Sequence, residues 1–143
     1  MKRIPIALLL LVLAAGGCGP SATNEPPPGA ADRVYRLEAL MIGYIGQGGS
    51  IDGIRNPVLH ARRGETVTLV IVNGERMVHD IALRRHRLRS DTIFETGAVT
   101  ELTFVAEFDD TYYCTIPGHL EAGMAGEFVL VDEPPERTAQ RGR

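Results

Sequence analysis

Along the middle of the chain, apolar and polar positions alternate in short runs, and Gly, Asn, Asp and Pro separate the runs. The clearest run is Thr66 to Asn73, where Val67, Leu69 and Ile71 share one face of an extended strand while Val70 and Val72 add apolar weight to the other. Comparable runs predict strands over Val34 to Met41, Val58 to Ala61, His79 to Arg84, Thr92 to Glu95, Val99 to Glu107, Thr111 to Thr115 and Gly126 to Val131. Turn signals fall at Arg63-Gly64-Glu65, Asn73-Gly74, Thr96-Gly97 and Asp109-Asp110, and Gly-rich Gly46 to Gly53 reads as a surface loop. No long helical period occurs there. Seven to eight strands in roughly 100 residues predict an all-β, two-sheet Greek-key sandwich.

The two ends follow other rules. Met1-Lys2-Arg3, the apolar run Ile4 to Ala15 and then Gly16-Gly17-Cys18 have the charged, apolar and small-residue order of a secretory signal. That run is too short to span a bilayer. Residues 1–17 are therefore expected to be a signal peptide, and Pro-rich residues 18–32 an extended linker. Residues 33–132 form the domain, and polar residues 133–143, with Pro134-Pro135, read as a disordered tail. Export places the chain in the periplasm or on the outer cell surface.

Charge narrows the partners. Without Lys2 and Arg3, 13 arginines face 18 acidic residues, a net charge of −5 with His neutral. No nucleic-acid partner is expected from that balance. The basic cluster Arg84-Arg85-His86-Arg87 with Arg89 reads as a solvated stretch, with a docking patch for an acidic partner as the alternative. His60 and His86 stand in polar or basic strings and read as solvated.

Two cysteines in an exported chain suggest a disulfide unless each has another use. The small residues before Cys18 resemble a bacterial lipobox, which implies that Cys18 is acylated and anchors the chain to a membrane. Ala15 stands where that pattern prefers Leu, so ordinary signal cleavage stays open. With Cys18 lipidated, Cys114 has no partner cysteine. A metal bond is the obvious role for a lone thiol in an oxidising space.

Around Cys114 the sequence reads Tyr112-Tyr113-Cys114-Thr115-Ile116-Pro117-Gly118-His119-Leu120-Glu121-Ala122-Gly123-Met124. A thiolate, an imidazole and a thioether fall within eleven residues, in a turn between two predicted strands. Thiolate and thioether favour Cu(I), imidazole also accepts Cu(II), and one trigonal His-Cys-His plane with a weak axial Met suits both. His79, opening His79-Asp80-Ile81-Ala82-Leu83, is the best source of the second imidazole. Taken singly, each of these residues has an ordinary structural use: Met124 as core filler, His79 as a surface histidine, Cys114 as a small buried hydrophobe.

Here the chain resembles the cupredoxins. Cys-Thr-Ile-Pro-Gly-His at 114 to 119 is similar to the ligand loop of azurin, with a His119-to-Met124 gap of the length usual in plastocyanin. Ser50 to Pro57, followed by Gly64-Glu65-Thr66-Val67, resembles the nitrite-reductase type. The resemblance implies one type 1 copper on His79, Cys114, His119 and Met124, and a monomer that passes single electrons between a redox protein donor and an acceptor. It departs from the family at Asp80, where many members have Asn tying the two ligand loops together; carboxylate oxygens can accept the same bonds. Blue-copper enzymes place His beside the ligand Cys, whereas this chain has Tyr113 and Thr115, so an electron carrier without its own substrate site is expected. A copper chaperone or store, or a protein feeding electrons to a periplasmic copper oxidoreductase, stays open, as does a metal-free sandwich.

Overall fold

The computed structural model describes residues 31–132. The expected signal peptide, the acylated Cys18, most of the linker and the tail lie outside the described residues.

Among the described residues nine strands form two sheets: β1 (Arg33–Leu40), β2 (Gly43–Gly46), β3 (Leu59–Ala61), β4 (Thr66–Asn73), β5 (Ala82–Leu83), β6 (Leu88–Arg89), β7 (Val99–Val105), β8 (Asp110–Tyr113) and β9 (Ala125–Leu130). One sheet runs β2-β1-β4-β7 and the other β3-β9-β8-β5-β6. Both sheets are mixed, since β1 pairs parallel with β4 and β3 parallel with β9. The expected all-β two-sheet sandwich is therefore present.

Thr66–Asn73 buries both faces because β4 lies between β1 and β7 within its sheet. At the other extreme, the expected strand His79 to Arg84 shrinks to Ala82–Leu83, and Thr92 to Glu95 reduces to one bridge, His79 to Ile93. Strand β2 was not expected, and its last residue, Gly46, opens the stretch that reads as a surface loop. Glycine is required there by close approach: a Cβ on Gly46 would overlap the Ile51 carbonyl.

Between the sheets lie Leu37, Val67, Leu69 and Ile71 of one layer against Leu59, Ile81, Leu83, Tyr112 and Phe128 of the other, all buried. Phe104 meets Phe128 edge-on, with ring centroids 5.2 Å apart at 71°.

His86 corrects the expectation of a solvated histidine. Its side chain is 5% exposed, packed near Phe104, Phe108 and Phe128. Nδ1–H donates to Asp110 Oδ2 at 2.6 Å and Nε2 accepts the Glu107 N–H at 3.4 Å. His60 is half-buried rather than solvated.

Asp110 gathers further donors from the Arg85, His86 and Thr111 backbone. Burial opposes its charge, but these bonds outweigh burial and lower its pKa from the ordinary 3.8. The folded-state pKa being the lower one, this stabilisation is complete above the unfolded value and is lost as pH falls through the folded one. Asp110→Asn should therefore lower stability near neutrality, and the gap from wild type should close below about pH 4. Urea unfolding across pH checks this; a gap that does not change with pH would contradict it.

Strand directions give the sandwich two distinct poles. β8 runs from Asp110 toward Cys114, while β9 starts beside Met124 and runs away from it. β1 ends at Leu40, next to the turn whose Met41 N–H bonds Glu75, and Glu75 in turn bonds His79. Its start, Arg33, lies about 23 Å away at strand spacing. There Arg33 pairs with Glu65 at 3.0 Å, Asp32 accepts the Thr66 N–H at 2.9 Å, and Arg62 donates to the Asp132 carbonyl at 3.0 Å. Asp32 and Asp132, where the described chain enters and leaves, are thus held by the same β3–β4 turn.

Candidate metal centre

The segment after β8 folds back on itself through its own backbone. Cys114 N–H donates to the Met124 carbonyl at 3.1 Å, Met124 N–H to the His119 carbonyl at 2.9 Å, and His119 N–H to the Ile116 carbonyl at 3.1 Å. Gly118 and Gly123 supply the turns, with φ of +86° and +102° that L side chains rarely adopt. Pro117, Gly118, Leu120, Glu121, Ala122 and Gly123 are exposed, whereas Cys114, His119 and Met124 are buried.

His79 comes from the other side, just before β5, and is fully buried. The donor atoms of His79, Cys114 and His119 all lie within 4.8 Å of one another. Cys114 Sγ is 3.4 Å from His119 Nδ1, and the two imidazole centroids are 5.0 Å apart. Three residues from two separate chain segments thus converge as the sequence predicts, with Met124 buried beside them.

The orientation of His79 is informative. Nε2 lies 3.2 Å from Glu75 Oε1, and that same oxygen accepts the Met41 N–H, so Nε2 carries the proton. Nδ1 is left with a bare lone pair, buried and without a hydrogen-bond partner. Buried polar atoms are seldom left unpaired, and a metal ion satisfies such a nitrogen.

Electrostatics suit the same use. Burial lowers the His79 pKa, with Glu75 opposing and His119 reinforcing, so the ring is neutral at neutral pH. Burial pushes the Cys114 thiol up, against the backbone N–H groups of Asp80 and Ile116. Metal binding to sulfur therefore displaces a proton. Two imidazole nitrogens and one thiolate, buried and with a thioether residue alongside, fit a type 1 copper site.

Asp80 ties the two segments together as the departure from Asn allowed. Its Oδ1 accepts the Thr115 N–H at 2.7 Å and its Oδ2 the Thr115 hydroxyl at 2.5 Å. Tyr44 O–H bonds the Asp80 carbonyl, also at 2.5 Å. Asn56 adds a second tie, donating to the Gly123 carbonyl at 2.8 Å and accepting the Tyr44 N–H at 2.9 Å. Sequence reasoning singled out neither Asn56 nor Glu75. Only the four-residue spacing of Glu75 and His79 offered a local signal.

The arginines flank the neighbouring edge of the same sheet: Arg84 and Arg85 follow β5 at the level of Thr111 and Asp110, and Arg89 of β6 pairs with Ala82, which pairs in turn with Tyr113. Arg85 bonds the Asp109 carbonyl and lies over Phe108, and Arg84 lies over Tyr113.

Neither a protein-family model nor a curated protein sequence matches this chain. Solved structures do match. Reduced auracyanin from the photosynthetic bacterium Roseiflexus castenholzii superposes with a TM-score of 0.55 at 15% identity, over 72% of this chain and 99% of that one. Rusticyanin from Thiobacillus ferrooxidans gives 0.54 at 17% identity, over 71% and 79%. This is the cupredoxin fold. Auracyanin A from Chloroflexus aurantiacus, described as a "blue" copper protein, shares it with a TM-score of 0.50 at 18% identity over 68% and 98%. At such identities the cupredoxin likeness speaks for architecture, and the chemistry of the site rests on this chain's own donor atoms.

Proposed function

We propose that this chain is an exported one-electron carrier whose type 1 copper is held by His79 Nδ1, Cys114 Sγ and His119 Nδ1, with Met124 as the weak axial ligand. The observation that carries the reading is the buried, unpartnered Nδ1 of His79, on a residue with a donor atom within 4.8 Å of those of Cys114 and His119. Copper bound there supplies a Cu(II)/Cu(I) couple, taking one electron from a reduced redox protein and giving it to an oxidised one. The residues supply rigidity: backbone bonds staple the ligand loop, Asp80 and Asn56 lock it to neighbouring segments, and Glu75 fixes the His79 ring. A geometry that does not rearrange favours fast electron exchange over release of the ion. In this reading Cys18 carries the lipid anchor, and the protein works as a monomer at the cell envelope.

Electrons enter or leave at the ligand loop, where exposed Leu120 and Pro117 flank His119, itself 4% exposed. An apolar rim suits a brief encounter with a small interface. Copper loading followed by a visible spectrum and voltammetry tests metal and role together: reversible cycling supports a carrier, and ready loss of copper to a competing protein supports a chaperone. Leu120→Asp should slow stopped-flow electron transfer on the order of tenfold, the equivalent of about 1.4 kcal/mol at the encounter. The spectrum and potential should stay in place. An unaltered rate would refute this exit face.

A further inference from the structure

Two carboxylates stand against the ligand residues, and neither faces a cation. Asp80 is fully buried, and its carboxylate oxygens accept the neutral N–H and O–H of Thr115, with the Cys114 thiol also in reach. Glu75 meets the His79 ring and the Met41 N–H, with 31% of its side chain exposed. Among the described residues no arginine pairs with either one. Hydrogen bonds of this kind hold a carboxylate without cancelling its charge, and a buried charge without a counter-ion is costly.

We propose that Asp80, assisted by Glu75, is a specificity-determining residue of the centre that holds its reduction potential low. The inference rests on copper occupying the site. The Cys114 thiolate and Asp80 together contribute two negative charges. Against a doubly charged ion they leave the buried centre neutral, and against a singly charged one they leave it anionic. Low effective dielectric enlarges that difference, so Asp80 favours the oxidised form. Glu75 acts in the same direction more weakly, because solvent screens it. A carrier poised in this way gives up its electron readily and takes one only from a stronger reductant.

Asparagine at position 80 would still accept the Thr115 N–H, and its amide can donate to the Thr115 oxygen, so the tie survives while the charge goes. In voltammetry of the copper-loaded full-length protein, Asp80→Asn should raise the midpoint by at least tenfold in the one-electron equilibrium constant, about 59 mV. The ratio of Cu(II) to Cu(I) affinity should fall by the same factor, as a thermodynamic cycle demands. Glu75→Gln should shift the midpoint upward by less. Thr115→Val keeps the charge but removes one of its donors, so its midpoint should not rise; if Asp80 merely held the loop, this variant would move as Asp80→Asn does. An unchanged midpoint in Asp80→Asn with the visible band intact would overturn the inference. Should that variant fail to take up copper, Glu75→Gln decides alone: a rise supports the proposal and anything else defeats it. Wild-type protein without a thiolate–copper band would instead refute the copper reading on which the inference stands.

Discussion

Replacing Cys114 with Ser should abolish the intense visible band of the copper-loaded protein. That band requires sulfur bonded directly to the ion, and Cys114 is the single free cysteine among the described residues, buried against His119 Nδ1 at 3.4 Å. Serine is nearly the same size and leaves the loop's backbone bonds untouched, because these run through Cys114 N–H and the Met124 carbonyl rather than through sulfur. The variant should therefore fold, with thermal stability in the metal-free form close to wild type, while losing the colour entirely. A hydroxyl is also a poor ligand for Cu(I), so reversible redox cycling should go with it. Absorption spectra of both proteins at equal copper loading settle the matter; a normal blue spectrum from the serine variant would sink the site assignment.

Truncating Phe128 to Ala should destabilise the fold by about 3–5 kcal/mol, the usual loss for a buried aromatic. Phe128 is fully buried on β9, in register with Leu59 of β3 and Asp110 of β8, and its ring meets Phe104 from the facing sheet. It thus joins three strands of one layer to the core of the other. A loss of this size is a large share of the roughly 5–15 kcal/mol that holds a domain together. Urea denaturation measures it, and a loss below about 1 kcal/mol, within the range of an ordinary substitution, would mean that the sheets are not keyed at this ring. Because Phe128 lies four residues beyond Met124, molecules that remain folded should keep an unaltered visible spectrum.

These variants separate what could be read in the sequence from what could not. Strand β4 was legible at both ends because its alternation is local, and the ligand loop was legible because thiol, imidazole and thioether crowd into eleven residues. His79 stood out as the best candidate for the second imidazole because it opens an expected strand just after a turn. His86 misled because its neighbours in sequence are arginines, whereas what buries it is Asp110 and three phenylalanines, at least 18 positions away. Strand Gly43–Gly46 went unseen because glycine carries no strand signal, and Gly46, which opened the expected loop, owes its being glycine to the Ile51 carbonyl brought close by folding. Glu75 escaped for a related cause: only the folded turn shows that its carboxylate reaches the His79 ring.

The clamp at the β3–β4 turn bears on how the protein can be handled and mounted. Since Asp32 and Asp132 are both fastened there, whatever lies beyond either one is attached on the side farthest from His119. A lipid, a solid support or a fused neighbour would accordingly grip the molecule by its heel. In the proposed role, the ligand loop would then lie on the face turned away from that grip.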